Sequence, residues 1–335
     1  MGKQKKDQLS IVDIATLSKV SPATVSRILN NSAPVSEETK NKVMEVIRQQ
    51  KYRPNIMASS MRNFKSKLIA VVVPDISDEF FSGIVYAIQK AIPNNSYACI
   101  IFNTAENDTR EEKCIEEIKR MNIGGIIAMN SNVDFSKAIP NMPVVYLNNV
   151  TFDLTLDQNS AYISGNYYKV GYLAGETFAK HNLMNVAYFI SKRFNGVNQL
   201  KSDGFYDACR KYNINVVGTK SFSRTTLQQN IREYLDSSKE KIDGIFCAND
   251  WLTVGATIAL RDSGYKVPDD ISLIGFGDYK MMEVIQASAI YQPLKEIGRD
   301  AIDILIKLIN GKKVSNRNIL LDIELIDRGT IRHYG

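Results

Sequence analysis

The fold is decided by residues 10–62, which read SIVDIATLSKVSPATVSRILNNSAPVSEETKNKVMEVIRQQKYRPNIMASSMR. Ser10, Ser21 and Ser36 each precede an amphipathic run, and a serine at such a position accepts a backbone N–H and starts a helix. The pattern predicts three short helices with a tight turn between the first two, which is the helix-turn-helix arrangement.

The apolar residues give each helix an inner face. The predicted stripe of the first helix is Ile11, Ile14, Ala15 and Leu17, that of the second is Val25, Ile28 and Leu29, and that of the third is Val43, Val46 and Ile47. On the second helix the outward face is small and polar with one arginine, so it fits a DNA major groove. This face consists of Pro22, Ala23, Ser26, Arg27 and Asn30.

Charge separates this segment from the rest of the chain. Residues 1–65 hold 12 Lys/Arg and 5 Asp/Glu, whereas the whole chain has a net charge of +6, so residues 66–335 have a net charge of −1. The excess positive charge lies on the candidate DNA-binding segment, where it can neutralise phosphates.

The run VSPATVSRILNNSAPVSEETKNKVMEVIRQQKYRPN resembles the head of the lactose-repressor (LacI) family of bacterial transcription regulators, and later segments follow the same family. The resemblance implies an all-α helix-turn-helix head at residues 1–53, a hinge helix or linker at 54–65, and a two-lobed α/β effector and dimerisation domain at 66–335. This domain is expected to have the type I periplasmic-binding-protein fold. The expected first lobe is about 66–158 and 292–317, and the second is about 159–290 and 318–335.

From Lys67 onward, strand patterns alternate with helix patterns, which predicts parallel sheets covered by helices on both faces. The predicted strands are Leu68–Val73, Tyr97–Phe102, Gly125–Met129, Val144–Leu147, Val186–Ile190, Val216–Val217, Gly244–Cys247 and Ile271–Gly275. We read Ser160–Lys180 as one helix of the second lobe. The resemblance places the crossings between lobes near residues 157–160, 290–292 and 316–319. It assigns helix Leu294–Asn310 to the first lobe and Ile319–Ile326 to the second.

For DNA, we expect Pro22, Ala23 and Arg27 to specify bases, while Ser21, Thr24 and Ser26 contact phosphates. The remaining candidate DNA contacts are Asn30, Tyr52, Asn55, Ala58 and Met61. Met61 stands where the family has a leucine that enters the minor groove, and a methionine can also wedge a base step.

The candidate effector-binding residues follow predicted strands or lie at family positions. They are Phe80, Phe81, Asn148, Lys201, Asn249, Trp251 and Asp278. The aromatic rings can stack on a sugar or base, although core packing explains Phe80 and Trp251 equally well. Lys201 replaces a family arginine, and Asp278 lies one residue after the usual acidic position. We expect the neighbouring Asp250 to cap a helix.

Several function classes are disfavoured. The chain lacks GxSxG and GxxxxGK motifs, and its two histidines and four cysteines are scattered, so we expect no catalysis, metal or cofactor. The longest apolar runs have the length of strands, and no signal-peptide core follows the N-terminal lysines, which predicts a cytoplasmic protein. No leucine heptads follow the last strand pattern, so the expected assembly is a homodimer and not a tetramer.

The expected protein is therefore a repressor of a sugar operon that binds a palindromic operator as a dimer. A small molecule between the lobes, most simply a sugar, changes the angle between them and so the grip on DNA. The alternatives are a catabolite-control regulator modulated by a phosphocarrier protein, a sugar-binding protein for uptake, and a sugar-processing enzyme.

Overall fold

The computed structural model describes residues 9–30, 33–52, 66–93, 97–105, 107–148, 157–192, 196–277 and 279–333. The chain forms two compact units, Met1–Lys67 and Leu68–Gly335. None of the helices described is long and apolar enough to cross a membrane. Among the described side chains, no group of three or more His, Cys, Asp or Glu is arranged to hold a metal ion.

The first unit contains α1 (Ile11–Ser18), α2 (Pro22–Asn30) and α3 (Glu37–Gln49), and its three predicted serine caps are confirmed. The Ser10 hydroxyl accepts the backbone N–H of Asp13 at 3.3 Å, and the Asp13 carboxylate accepts that of Ser10 at 2.7 Å. Ser21 and Ser36 accept backbone N–H groups at 3.1 and 3.4 Å. Local sequence therefore sets where each helix begins.

The core of the first unit is small. It consists of Ile14, Ala15, Val25 and Val43, with Ile11, Val20, Ile28, Leu29, Val46, Ile47 and Tyr52 packed around them. The prediction for Leu17 was wrong, because this side chain is 49% exposed while Ser18 is buried. Leu17 lies about 60° beyond Ile14 around the helix, outside the arc that the other two helices cover.

The second unit contains two six-stranded sheets. In chain order its elements are β1 (Leu68–Val73), α4 (Glu79–Ala91), β2 (Ala98–Asn103), α5 (Asp108–Arg120), β3 (Gly125–Met129), α6 (Phe135–Ala138), β4 (Val144–Leu147), β5 (Ser160–Gly165), α7 (Tyr167–Lys180), β6 (Asn185–Ser191), α8 (Gly196–Lys211), β7 (Asn215–Phe222), α9 (Leu227–Ser237), β8 (Gly244–Cys247), α10 (Asp250–Asp262), β9 (Ser272–Phe276), α11 (Lys280–Val284), β10 (Ala289–Tyr291), α12 (Leu294–Ile309), β11 (Asn318–Leu321) and β12 (Glu324–Ile326).

The first sheet has the order β11-β5-β4-β3-β1-β2, and all its pairings are parallel. Helices α4 and α12 cover one face, and α5 and α6 cover the other. This sheet and its helices form the first lobe, which confirms the predicted layering.

The second sheet has the order β12-β10-β9-β8-β6-β7 and is parallel except for the pairing of β10 with β12. Helices α7 and α8 pack on one face, while α9 and α10 pack on the other. Together these elements form the second lobe. The carboxyl ends of parallel strands are where ligands bind in such folds.

Two expectations about the lobes need correction. Residues 160–180 do not form one helix, because Ser160–Gly165 is a strand paired on both sides, with β4 and with β11. The Asn166 side chain then accepts the N–H of Lys169 at 3.0 Å and starts α7. Strands β5 and β11 both belong to the first sheet, so the chain crosses after residue 165, near 292 and after 321. These positions replace the predicted lobe limits at 158 and 317.

Candidate functional sites

The outward face of α2 is the candidate DNA-binding surface. Pro22, Ala23 and Arg27 are exposed, and Arg27 makes no ion pair within the part of the chain described. The Ser21 hydroxyl caps the helix and lies 2.9 Å from the Thr24 hydroxyl. A fixed helix thus presents one free guanidinium between two small side chains, which is geometry suited to a guanine edge.

The other predicted DNA contacts lie away from the exposed centre of this face or outside the described residues. Ser26 is half-buried, Asn30 is the last residue of α2, and Tyr52 packs partly against the core of the head. Asn55, Ala58 and Met61 lie outside the described residues, as does the whole segment 53–65.

A cavity of about 530 Å³ lies between the two lobes of the second unit, and we call it the interlobe cavity. It is lined by Asp75, Asp78, Phe80, Phe81, Asn130, Tyr167, Ser191, Lys192, Val197, Asn198, Lys201, Phe222, Ser223, Arg224, Asn249, Asp250, Trp251, Phe276 and Tyr279. Five of the predicted effector residues are in this set. They are Phe80, Phe81, Lys201, Asn249 and Trp251. Asp278 lies outside the described residues.

Lys201 is a cation held inside the second lobe. Its side chain is buried, its Nζ donates to the Ala248 carbonyl at 2.6 Å, and Nζ lies 4.6 Å from the centre of the Phe276 ring. Burial lowers the pKa of Lys201 to about 7. One carbonyl uses one of the three ammonium donors, so the others are available to an acceptor in the interlobe cavity.

Glycines place Lys201 there. A Cβ built on Gly171 of α7 would lie 1.8 Å from the Lys201 backbone oxygen, and one on Gly204 of α8 would lie 2.0 Å from the Tyr168 oxygen. The two helices therefore touch backbone to backbone, which any larger residue at either position would prevent.

Asp250 lies near Lys201 and was expected to cap a helix. It is instead the first residue of α10, and Asn249 occupies the cap position without a side-chain hydrogen bond to the helix. Burial, together with the nearby Asp78 carboxylate, raises the pKa of Asp250 to about 6. A cation and a carboxyl group thus share one wall of the interlobe cavity.

Among the residues that the structure describes, an ion pair, a hydrogen bond and an aromatic contact join the lobes across the cavity. Arg224 Nη2 lies 2.7 Å from the Asp78 carboxylate, with the guanidinium 5.6 Å from the centre of the Trp251 ring. The Glu79 carboxylate accepts the backbone N–H of Lys280 at 3.2 Å. The rings of Phe80 and Tyr279 lie 6.4 Å apart. The loop after β1 and the first turn of α4 therefore supply the first lobe's contacts to the second lobe.

Asn148 does not line the interlobe cavity, contrary to the expectation. It is 1% exposed beneath the crossings, where its Oδ1 accepts from Gln292 Nε2 and from the Gly165 N–H, each at 3.4 Å. Gln292 Nε2 also donates to the Tyr167 hydroxyl at 3.1 Å. This network joins the end of β4 to two of the crossings, so Asn148 occupies a hinge position.

Most residues of the cavity wall were not predicted as effector contacts, and four of them show why. Asn130 follows the buried strand β3, a signal the sequence offers as clearly as it does for Asn249. Arg224 follows β7, of which only two residues were recognised as strand. Tyr167 is the first residue of α7, next to a crossing, and Tyr279 directly precedes α11. At such positions nothing in the sequence distinguishes a ligand contact from a core residue.

Two regions of the chain match known families. Residues 10–55 match "Bacterial regulatory proteins, lacI family", and residues 176–331 match "Periplasmic binding protein-like domain". The two matches fall on the helix-turn-helix unit and on the second lobe with the end of the first.

Similar proteins cover almost the whole chain. The transcriptional regulator RegA of Clostridium acetobutylicum is 30% identical over 344 residues, covering 96% of this chain and 99% of RegA. The transcriptional repressor CytR of Escherichia coli K12 is 29% identical over 348 residues, covering 99% and 98%. The lac repressor dimer bound to operator and the anti-inducer ONPF has a similar fold, with a TM-score of 0.82, 22% identity, and coverage of 97% and 99%.

Proposed function

The chain belongs to the lacI family of bacterial regulatory proteins, and on this premise we propose that it represses a sugar operon as a homodimer on a near-palindromic operator. The family consists of DNA-binding transcription regulators and not of enzymes. The protein acts where the bacterial chromosome lies, in the cytoplasm.

The observation that carries the DNA-binding role is the exposed face of α2. Arg27 supplies a planar pair of donors for guanine, and Pro22 and Ala23 are small enough to let the helix approach the base edges. Ser21, Thr24 and Ser26 lie beside this face and contact phosphates. The positive charge of residues 1–65 supports the same role.

The effector is a small polyhydroxylated molecule in the interlobe cavity. A volume of about 530 Å³ falls in the range of small-ligand sites. The ionic side chains among the described residues of the wall are three carboxyl groups (Asp75, Asp78 and Asp250) and three basic groups (Lys192, Lys201 and Arg224), so their formal charges balance. Several aromatic rings alternate with these polar groups, which is the composition that suits a sugar.

Coupling between effector and operator runs through the angle between the lobes. The effector must contact both walls, and the cross-lobe pair of Asp78 and Arg224 exists only when the walls are close. A molecule that binds one lobe angle better than another shifts the population of that angle. Segment 54–65, including Met61, passes this shift to the DNA-binding head.

A selection from random duplexes tests the proposal. The full-length protein is expected to enrich a site with two related half-sites, and a sugar is expected to change its affinity for that site. Absence of any enriched sequence, with and without a panel of sugars, would refute the regulatory role. If a phosphocarrier protein changed the operator affinity and no sugar did, the protein would be assigned to the catabolite-control regulators.

A further inference from the structure

Asn130 ends the central strand β3 and lines the interlobe cavity from the first lobe. Its φ is +44°, a left-handed conformation that asparagine tolerates better than most residues. Its N–H donates to the Leu147 carbonyl at 3.1 Å, which continues the pairing of β3 with β4. The backbone of Asn130 is thus fixed at the edge where ligands bind in parallel sheets.

The loop after Asn130 is anchored by Glu111 of α5, which is 6% exposed. The Glu111 carboxylate accepts the Ser131 hydroxyl and, at 3.2 Å, the Asn132 N–H. The Asn132 amide also donates to Asp108 at 3.1 Å. The buried Glu111 carboxylate thus fixes the two residues that directly follow Asn130.

The Asn130 amide is incompletely bonded. Its Oδ1 is closed off from solvent and has no hydrogen-bond partner among the described residues, and the same is true of Asn249 Oδ1 in the second lobe. A buried acceptor without a partner is unfavourable, so a ligand that donates to it gains affinity. Rotation about the last side-chain torsion exchanges the oxygen and nitrogen of an amide at small cost, so a ligand hydroxyl can be met by either atom.

Resting on the proposed function, we propose that Asn130, and not Asn148, is the first-lobe amide that binds the effector. Asn130 and Asn249 then hold hydroxyl groups on two opposite edges of one neutral sugar. The Asn148 Nδ2 also lacks a partner among the described residues, but the Asn148 Oδ1 already accepts two hydrogen bonds in the hinge network and the residue does not line the interlobe cavity. A ligand bonded to both amides closes the lobes, since neither amide alone spans them.

The test replaces Asn130 with glycine, which keeps the left-handed backbone and removes the amide. The matched control is Asn141→Gly, because Asn141 also has a positive φ (+65°), is exposed, and lies in the same lobe away from the cavity wall. Both variants and the wild-type chain are titrated calorimetrically with D-ribose, D-xylose, D-glucose, maltose and cellobiose. Thermal unfolding of each variant verifies the fold.

For the sugar that binds the wild-type chain, Asn130→Gly is expected to raise Kd about tenfold, which corresponds to about 1.4 kcal/mol. Asn141→Gly should leave Kd unchanged. One monodeoxy analogue of that sugar should bind the wild-type chain about tenfold more weakly and bind Asn130→Gly as well as the parent sugar does.

An unchanged Kd for folded Asn130→Gly would overturn the inference, and so would the absence of binding by all five sugars. The random-duplex selection with wild-type protein alone separates these failures from failure of the proposed regulatory role. An enriched operator without any sugar binding removes only the inference about Asn130.

Discussion

Lys201→Met removes a buried positive charge while keeping most of the side-chain volume. In the folded chain the pKa of Lys201 is about 7, against 10.5 for a free lysine. Between these values the unfolded chain binds the proton and the folded chain does not, so this group makes stability rise with pH over that window. Below pH 7 the folded chain must hold the buried positive charge of Lys201. This lowers the free energy of unfolding by on the order of 5 kcal/mol.

Methionine has no proton to lose, so the variant lacks this dependence. It also leaves the Ala248 carbonyl without its 2.6 Å donor, which costs about 1–3 kcal/mol at every pH. The variant should therefore be the more stable protein at pH 6.5. Its advantage should shrink by about 3 kcal/mol between pH 7 and pH 9.5, because the wild-type protein recovers its stability there.

Urea unfolding followed by tryptophan fluorescence measures this difference. Trp251 is the chain's single tryptophan and lines the same cavity, so it reports on the second lobe. Lys192→Met serves as the control, because Lys192 is an exposed lysine of the same wall. A difference between Lys201→Met and wild type that stays constant from pH 6.5 to pH 9.5 would refute the assigned cause.

Three further variants address the head, the cleft closure and the helix contact. Arg27→Ala should weaken binding to the selected operator by about 1–3 kcal/mol and reduce its preference over scrambled DNA; equal preference in fluorescence anisotropy would exclude Arg27 as a base reader. Arg224→Ala removes the pair with Asp78, which is partly exposed and worth about 1 kcal/mol or less, so unfolding should change little while small-angle scattering reports a more open body. An unchanged scattering curve would show that the pair does not control closure. Gly204→Ala places a methyl group 2.0 Å from the Tyr168 carbonyl oxygen and should lower the free energy of unfolding by 2 kcal/mol or more, as a rough estimate for overpacking; a wild-type urea midpoint would contradict this contact.

Local signals were read correctly from the sequence. The helix starts at Ser10, Ser21 and Ser36 depend on a side chain and a backbone N–H three residues away. The strands at 68–73, 125–129 and 144–147 were found because each is a buried apolar run of strand length. Such features need no knowledge of distant parts of the chain.

Non-local pairing was not readable. Strand β5 looked like the start of a helix, because only its neighbours β4 and β11 reveal it as a strand. Arg224 and Asp78 are 146 residues apart, and nothing in either segment indicates the other. The sequence analysis named Asn148 and did not consider Asn130, although both follow buried strands, and only the packing of the crossings places Asn148 in the hinge.

The order of the elements has a consequence for synthesis on the ribosome. The first lobe takes its edge strand β11 and its covering helix α12 from beyond most of the second lobe, of which only β12 and the residues after it come later in the chain. Until those residues emerge, a nascent chain exposes the apolar surface around Ile127 and Leu147 that α12 later covers. The second lobe can thus acquire most of its sheet first, and the first lobe is completed only when translation is nearly finished.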